Sequence, residues 1–130
     1  MRAVSRRLDA LRNEVQVRTH ELVADEPVEE GGEDAGPSPQ ELLAASLASC
    51  TAITMEMYAK RKGWEIGEVV VDVDYEPAQR GSVTKFDMVI RLPKELPDEQ
   101  RERLLQIAAK CPVHRTLEGE VMFEERLELG

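Results

Sequence analysis

Aromatic side chains are scarce in this chain, with one Trp, two Tyr and two Phe among 130 residues. That leaves no row of rings on which nucleic-acid bases could stack. Positive charge is also in deficit: 17 Lys and Arg stand against 26 Asp and Glu, a net charge of -9, so nucleic acid is not an expected partner. No run approaches the roughly 18 apolar residues that a membrane span needs. Nothing apolar backs Met1-Arg-Ala-Val-Ser-Arg-Arg, so neither a membrane partner nor a signal peptide is expected. These absences point to a cytoplasmic protein, where thiols are held reduced and a structural disulfide is not expected. The single Asn, Asn13, beside many Glu and Arg is a composition found in heat-tolerant proteins.

The length suits one domain, residues 1–130, without linkers or internal repeats. Residues 3–25 read as extended: Val15, Val17 and Thr19 alternate with Glu14, Gln16 and Arg18, a second strand runs through Glu21–Ala24, and Arg6–Leu8 begins a hairpin. Asp25–Pro37 is an acidic loop rich in Gly and Pro. A long helix is expected from Ser38, the cap, through Pro39 to Lys62, with Gly63 as its stop. Trp64–Tyr75 reads as a strand with Val69, Val71, Val73 and Tyr75 on one face, answered by Phe86, Met88, Ile90 and Leu92. Asp98–Glu99 open a helix whose stripe holds Leu104, Ile107, Ala108 and Cys111, and Pro112 ends or restarts it. Glu120–Leu129 alternates as a closing strand with Val121, Phe123 and Leu127 on one side. The class is α+β with antiparallel sheets around a long central helix. That helix is apolar around much of its circumference, so a second copy is expected to cover it.

Only two cysteines are present. On a helical wheel Cys50 falls at the centre of a stripe with Leu43, Ser46, Leu47, Ile53, Thr54 and Met57. A thiolate can displace at a peroxide oxygen to give a sulfenic acid, which a second thiol condenses to a disulfide. The chemistry needs sulfurs that meet, and the separation of Cys50 from Cys111 does not by itself imply that. Cys50 lies too deep in its helix to use the dipole, and burial would raise its pKa, so a cation must come from elsewhere. An Arg suits that task, with Arg18 leading and Arg6, Arg7 and Arg12 behind. Glu41 is separated from Cys50 by roughly 13 Å of helix axis; it could fix such an Arg, or serve only as the reciprocal half of a capping box.

Blander readings stand beside these. A buried cysteine is more often a packing residue than a nucleophile. Cys111 and His114 have a Cys-x-x-His spacing, but nothing pairs Cys50 with His20, so no zinc site or other cofactor is expected. His114 reads as a polar residue of a helical turn, Trp64 and Tyr58 as core or interface, and Gly31-Gly32 as no phosphate loop. A non-catalytic dimer holding an apolar ligand, and a thiol redox sensor, remain alternatives.

Gly36-Pro-Ser-Pro-Gln-Glu-Leu-Leu-Ala-Ala-Ser-Leu-Ala-Ser-Cys50-Thr-Ala, followed by Cys111-Pro-Val-His-Arg-Thr-Leu117, resembles the OsmC/Ohr family of osmotically inducible and organic hydroperoxide resistance proteins. The likeness is nearest to a less characterised OsmC-like subgroup. It implies an intertwined homodimer with two long central helices between sheets. It also implies thiol-dependent reduction of organic hydroperoxides, with Cys50 as the peroxidatic and Cys111 as the resolving residue. Dithiol reductants such as lipoyl groups are the implied partners. The Gly-Gly-Arg stretch of the hydroperoxide branch has no counterpart here, and Gln40 stands where that branch has Glu, with Glu41 next door.

Overall fold

The computed structural model describes all 130 residues. Strands β1 (Val4–Asp9), β2 (Arg12–Val17) and β3 (His20–Ala24) come first, followed by a 3-10 turn (Val28–Glu30) and helix α1 (Pro39–Lys62). Then follow β4 (Val70–Glu76), β5 (Lys85–Arg91), α2 (Asp98–Ala108) and α3 (Pro112–Glu118). The fold is α+β, with two small antiparallel sheets, β1-β2-β3 and β4-β5, and one long helix. Two compact units can be separated: Met1–Ala45 with Tyr75–Phe86, and Ser46–Asp74 with Asp87–Gly130.

In the first unit, β2 lies between its neighbours, with Val15 opposite Ser5 on one side and Leu22 on the other. The expected strand through Thr19 stops at Val17, because Arg18 takes a positive φ of 54° and turns the chain into β3. The acidic loop is organised by the buried Asp25. Its carboxylate accepts backbone N–H bonds from Glu26 at 2.8 Å, Glu33 at 3.2 Å and Ala35 at 3.1 Å. Burial pushes that carboxyl up, but the three amides and Arg12 bring it below its usual range. Gly32 is required here: a Cβ would collide with the carbonyl of Glu26.

Helix α1 starts and stops where its caps predict. Glu41 N–H donates to Ser38 Oγ at 3.2 Å and Ser38 N–H to Glu41 Oε1 at 2.9 Å, a reciprocal capping box. At the other end Trp64 N–H bonds Ala59 O at 2.9 Å and Gly63 N–H bonds Lys60 O at 3.2 Å, with Gly63 at φ 71°. This Schellman closure, and a second left-handed glycine at Gly67, keep residues 64–69 out of the sheet, so β4 begins at Val70 rather than Trp64.

The second unit holds the core: Met55, Ala59, Ile66, Leu96, Leu104 and Ala108, flanked by half-buried Tyr58, Trp64, Val69, Val71, Ile90 and Leu92. The buried row of α1 is Leu47, Thr51, Met55 and Ala59. The expected stripe centred on Cys50 is therefore rotated: Ile53 and Met57 are exposed and Cys50 is half-buried. A helix apolar on most sides has no dominant face to set its phase, and i,i+4 packing against α2 decides it. By length and composition α1 does meet the requirement for a membrane span, against the expectation. Two members of its buried row, Met55 and Ala59, share a core with Leu104 and Ala108. The closing strand expected at Glu120–Leu129 does not form; Phe123 is 79% and Leu127 83% exposed. A strand needs a ladder partner, and this segment has none within the chain.

Candidate functional site: a two-cysteine centre

Both cysteines are free thiols, and both belong to the second unit. Cys50 rides on α1 one residue before the buried Thr51. Cys111 is fully buried at the junction of α2 and α3, carried there by the apolar stripe of Leu104, Ile107 and Ala108. Pro112 disfavours helical geometry at the residue before it, so Cys111 adopts φ -53° and ψ 128° and the chain restarts as α3. That break leaves the first amides of α3 without helical partners.

The break brings the two thiols close enough for each to act on the ionisation of the other. Burial pushes the Cys50 thiol up, and its bond with Cys111 raises it further. The Val113 amide and the Thr54 hydroxyl, 4.0 Å from the sulfur, oppose this only in part. Burial also pushes Cys111 up, but Cys50, the amides of His114 and Val113 and the Thr51 hydroxyl together hold it below an ordinary thiol. Neither amide closes a regular capping bond on the Cys111 sulfur; each is a nearby dipole that favours negative charge there. Shared between the two, the charge belongs on Cys111. Cys50 sits in mid-helix, where neighbouring amides are spent on the helix itself.

The groups that act most strongly on Cys50 are Cys111, Val113 and Thr54, none of them a cation. Arg18 lies on the β2–β3 turn with its backbone carbonyl accepting from Gln16 Nε2 at 3.3 Å. Glu41 is engaged in the capping box. His114 Nε2 faces Glu118 Oε1 at 2.6 Å, a pairing along α3. No three His, Cys, Asp or Glu side chains converge on a metal position. Sequence reasoning passed over Thr51, whose hydroxyl donates to Leu47 O at 2.8 Å and which is 1% exposed. The signal was there, as the one polar member of an i,i+4 row of Leu47, Thr51, Met55 and Ala59.

Residues 31–126 match the OsmC-like protein family. A crystal structure from Psychrobacter arcticus, of a protein named for osmotic stress induction and a detoxification response, is 25% identical. It superposes with a TM-score of 0.77 over 88% of this chain and 85% of that one. An OsmC-like protein of Mycoplasma pneumoniae (17% identical, TM-score 0.75, 91% and 86% covered) has the same fold. So does an organic hydroperoxide resistance protein of Bacillus subtilis (21% identical, TM-score 0.61, 91% and 90% covered). A protein of Haloferax volcanii is 22% identical over 94 residues, 71% of each chain. With the family match spanning most of its length, the chain belongs to the OsmC-like protein family.

Proposed function

We propose that the chain is a thiol-dependent peroxidase that reduces organic hydroperoxides to alcohols. The observation that carries this reading is the contact between Cys50 and Cys111, two free thiols far apart in the chain. Family membership supports it, as do the names of relatives called organic hydroperoxide resistance proteins. Cys50 as thiolate attacks the terminal peroxide oxygen, the O–O bond breaks, and the alkoxide takes a proton to leave as alcohol. Cys111 then attacks the sulfur of the Cys50 sulfenic acid, water departs, and a disulfide forms. A dithiol, of the lipoyl kind, is oxidised as it restores both thiols.

Ionising Cys50 is the demanding step, since its surroundings hold the proton on. A guanidinium would correct this and would stabilise the departing alkoxide, and Arg18 is the residue proposed for it, with Glu41 orienting it. The proposed assembly is a homodimer, which would cover Ile53 and Met57 and give residues 120–129 a partner for their exposed Val121, Phe123 and Leu127. The reducing cytoplasm is the proposed compartment. The apolar flank of Cys50 favours alkyl or lipid hydroperoxides over hydrogen peroxide. The test is consumption of cumene hydroperoxide with a dithiol as reductant. Turnover should vanish in Cys50→Ser; wild-type turnover in that variant would eliminate the mechanism.

A further inference from the structure

Three helical hydroxyls in this protein give their proton to a carbonyl of the preceding turn: Thr51 to Leu47 O at 2.8 Å, Ser49 to Ser46 O at 3.2 Å and Thr116 to Pro112 O at 3.0 Å. Thr54 does otherwise. Its Oγ1 lies 4.0 Å from Cys50 Sγ, a hydrogen-bond distance for sulfur. The two residues are four apart on α1, and helical side chains lean toward the N-terminus, so the later hydroxyl falls over the earlier sulfur. Both are half-buried, and water reaches the pair. Among the groups that act most strongly on the Cys50 thiol, Thr54 is the one side chain that favours its ionisation.

We infer that Thr54 is a catalytic residue of the first half of the reaction, its hydroxyl donating to the Cys50 sulfur as that sulfur becomes the attacking thiolate. That this thiolate attacks a hydroperoxide rests on the peroxidase reading; the contact of hydroxyl and sulfur does not. Beside the neutral thiol, the Thr54 oxygen can accept from the S–H. When that proton leaves for water, the hydroxyl turns its own proton to the sulfur by rotation about one C–O bond, and no heavy atom moves. The ionisation consumes no oxidant or reductant, and Thr54 keeps its proton throughout. A hydrogen bond to an anion is stronger and shorter than one to a neutral group, so a contact that is slack with the thiol tightens once the sulfur is charged. The hydroxyl thus offsets part of what burial costs Cys50, at the point where the strongest influences include no cation.

The experiment follows Cys50 in a Cys111→Ala background, which removes the titratable group that acts on it. Ultraviolet thiolate absorbance gives the midpoint, and alkylation by iodoacetamide gives the reactivity without any peroxide. Thr54→Val keeps the branched shape and removes the hydroxyl, and should raise the Cys50 midpoint by about half a pH unit. Thr54→Ser should keep the parent midpoint. If the Val variant does not fold by circular dichroism, Thr54→Ala is read in its place for the same rise. An unchanged midpoint in the folded variant overturns the inference. Below the parent midpoint the Val variant should be alkylated about twofold more slowly, the loss of thiolate being partly offset by a more basic sulfur. Above both midpoints it should react no more slowly than the parent. A loss equal at every pH would mark a merely structural role and also overturn the inference. Should the protein consume no hydroperoxide, the peroxidase reading fails, while absorbance and alkylation still decide the role of the hydroxyl.

Discussion

Cys50, from the middle of one helix, and Cys111, from the break between two others, meet side chain to side chain. They shift in opposite directions: burial dominates at Cys50, whereas at Cys111 the neighbouring Cys50, two amides and the Thr51 hydroxyl together outweigh it. Of the two, Cys111 is favoured to lose its proton first, and the Cys50 thiol is disfavoured.

The asymmetry is visible by titration. Cys50→Ala takes away the largest influence that lowers Cys111, so the remaining thiol should titrate higher than it does in the pair. Cys111→Ala takes away a group that raises Cys50, so the remaining thiol should titrate lower than it does in the pair. Because Cys111 must ionise to resolve, disulfide formation should accelerate as pH rises through its lowered midpoint and then level off. Thiolate absorbance and stopped-flow fluorescence, through Trp64, check the two halves.

Removing Cys111 separates attack from resolution. Cys111→Ser should still be oxidised once by an organic hydroperoxide and then accumulate a sulfenic acid that dimedone captures. Excess peroxide should drive that species on to sulfinic acid, which dithiols do not reverse. Mass spectrometry of the Cys50 peptide reads each state directly.

How far the residues disclose this arrangement differs from element to element. The bounds of α1 are legible because Ser38, Pro39, Glu41 and Gly63 each act locally, through hydrogen bonds within a few residues. The phase of the same helix is not legible, since small apolar residues surround it and only contact with α2 selects the row through Leu47 and Thr51. Alternation in residues 120–129 indicates fitness for a sheet, but a ladder also needs a neighbour, which periodicity does not supply. The meeting of the two cysteines was foreshadowed by likeness to a family rather than by spacing. Thr51 is marked in the helix only as the polar member of its buried row; its nearness to Cys111, sixty positions along the chain, is not legible there.

The core of the second unit predicts a large stability cost. Leu104 is fully buried among Met55, Ala59 and Ala108. Leu104→Ala should destabilise the protein by about 2–5 kcal/mol through lost burial and the cavity left behind. Urea unfolding at unchanged m-value measures it. Leu105→Ala, one residue on and 48% exposed, should cost far less.

Acid should loosen the loop before the core. The folded-state pKa of Asp25 is lowered, so its contribution is fully present above the unfolded value of about 3.9 and is lost as pH falls through the lower folded value. Asp25→Ala should remove this pH dependence and open the turn at neutral pH. Hydrogen exchange at the Glu33 and Ala35 amides, which bond to that carboxylate, reports both effects.

The most direct measurement is a thiol count with disulfide mapping after one equivalent of an organic hydroperoxide. The account predicts that both free thiols of each chain disappear together and that a single Cys50–Cys111 bridge is recovered within the chain. Thiols that remain free, or a bridge that joins two chains through Cys50, would contradict it.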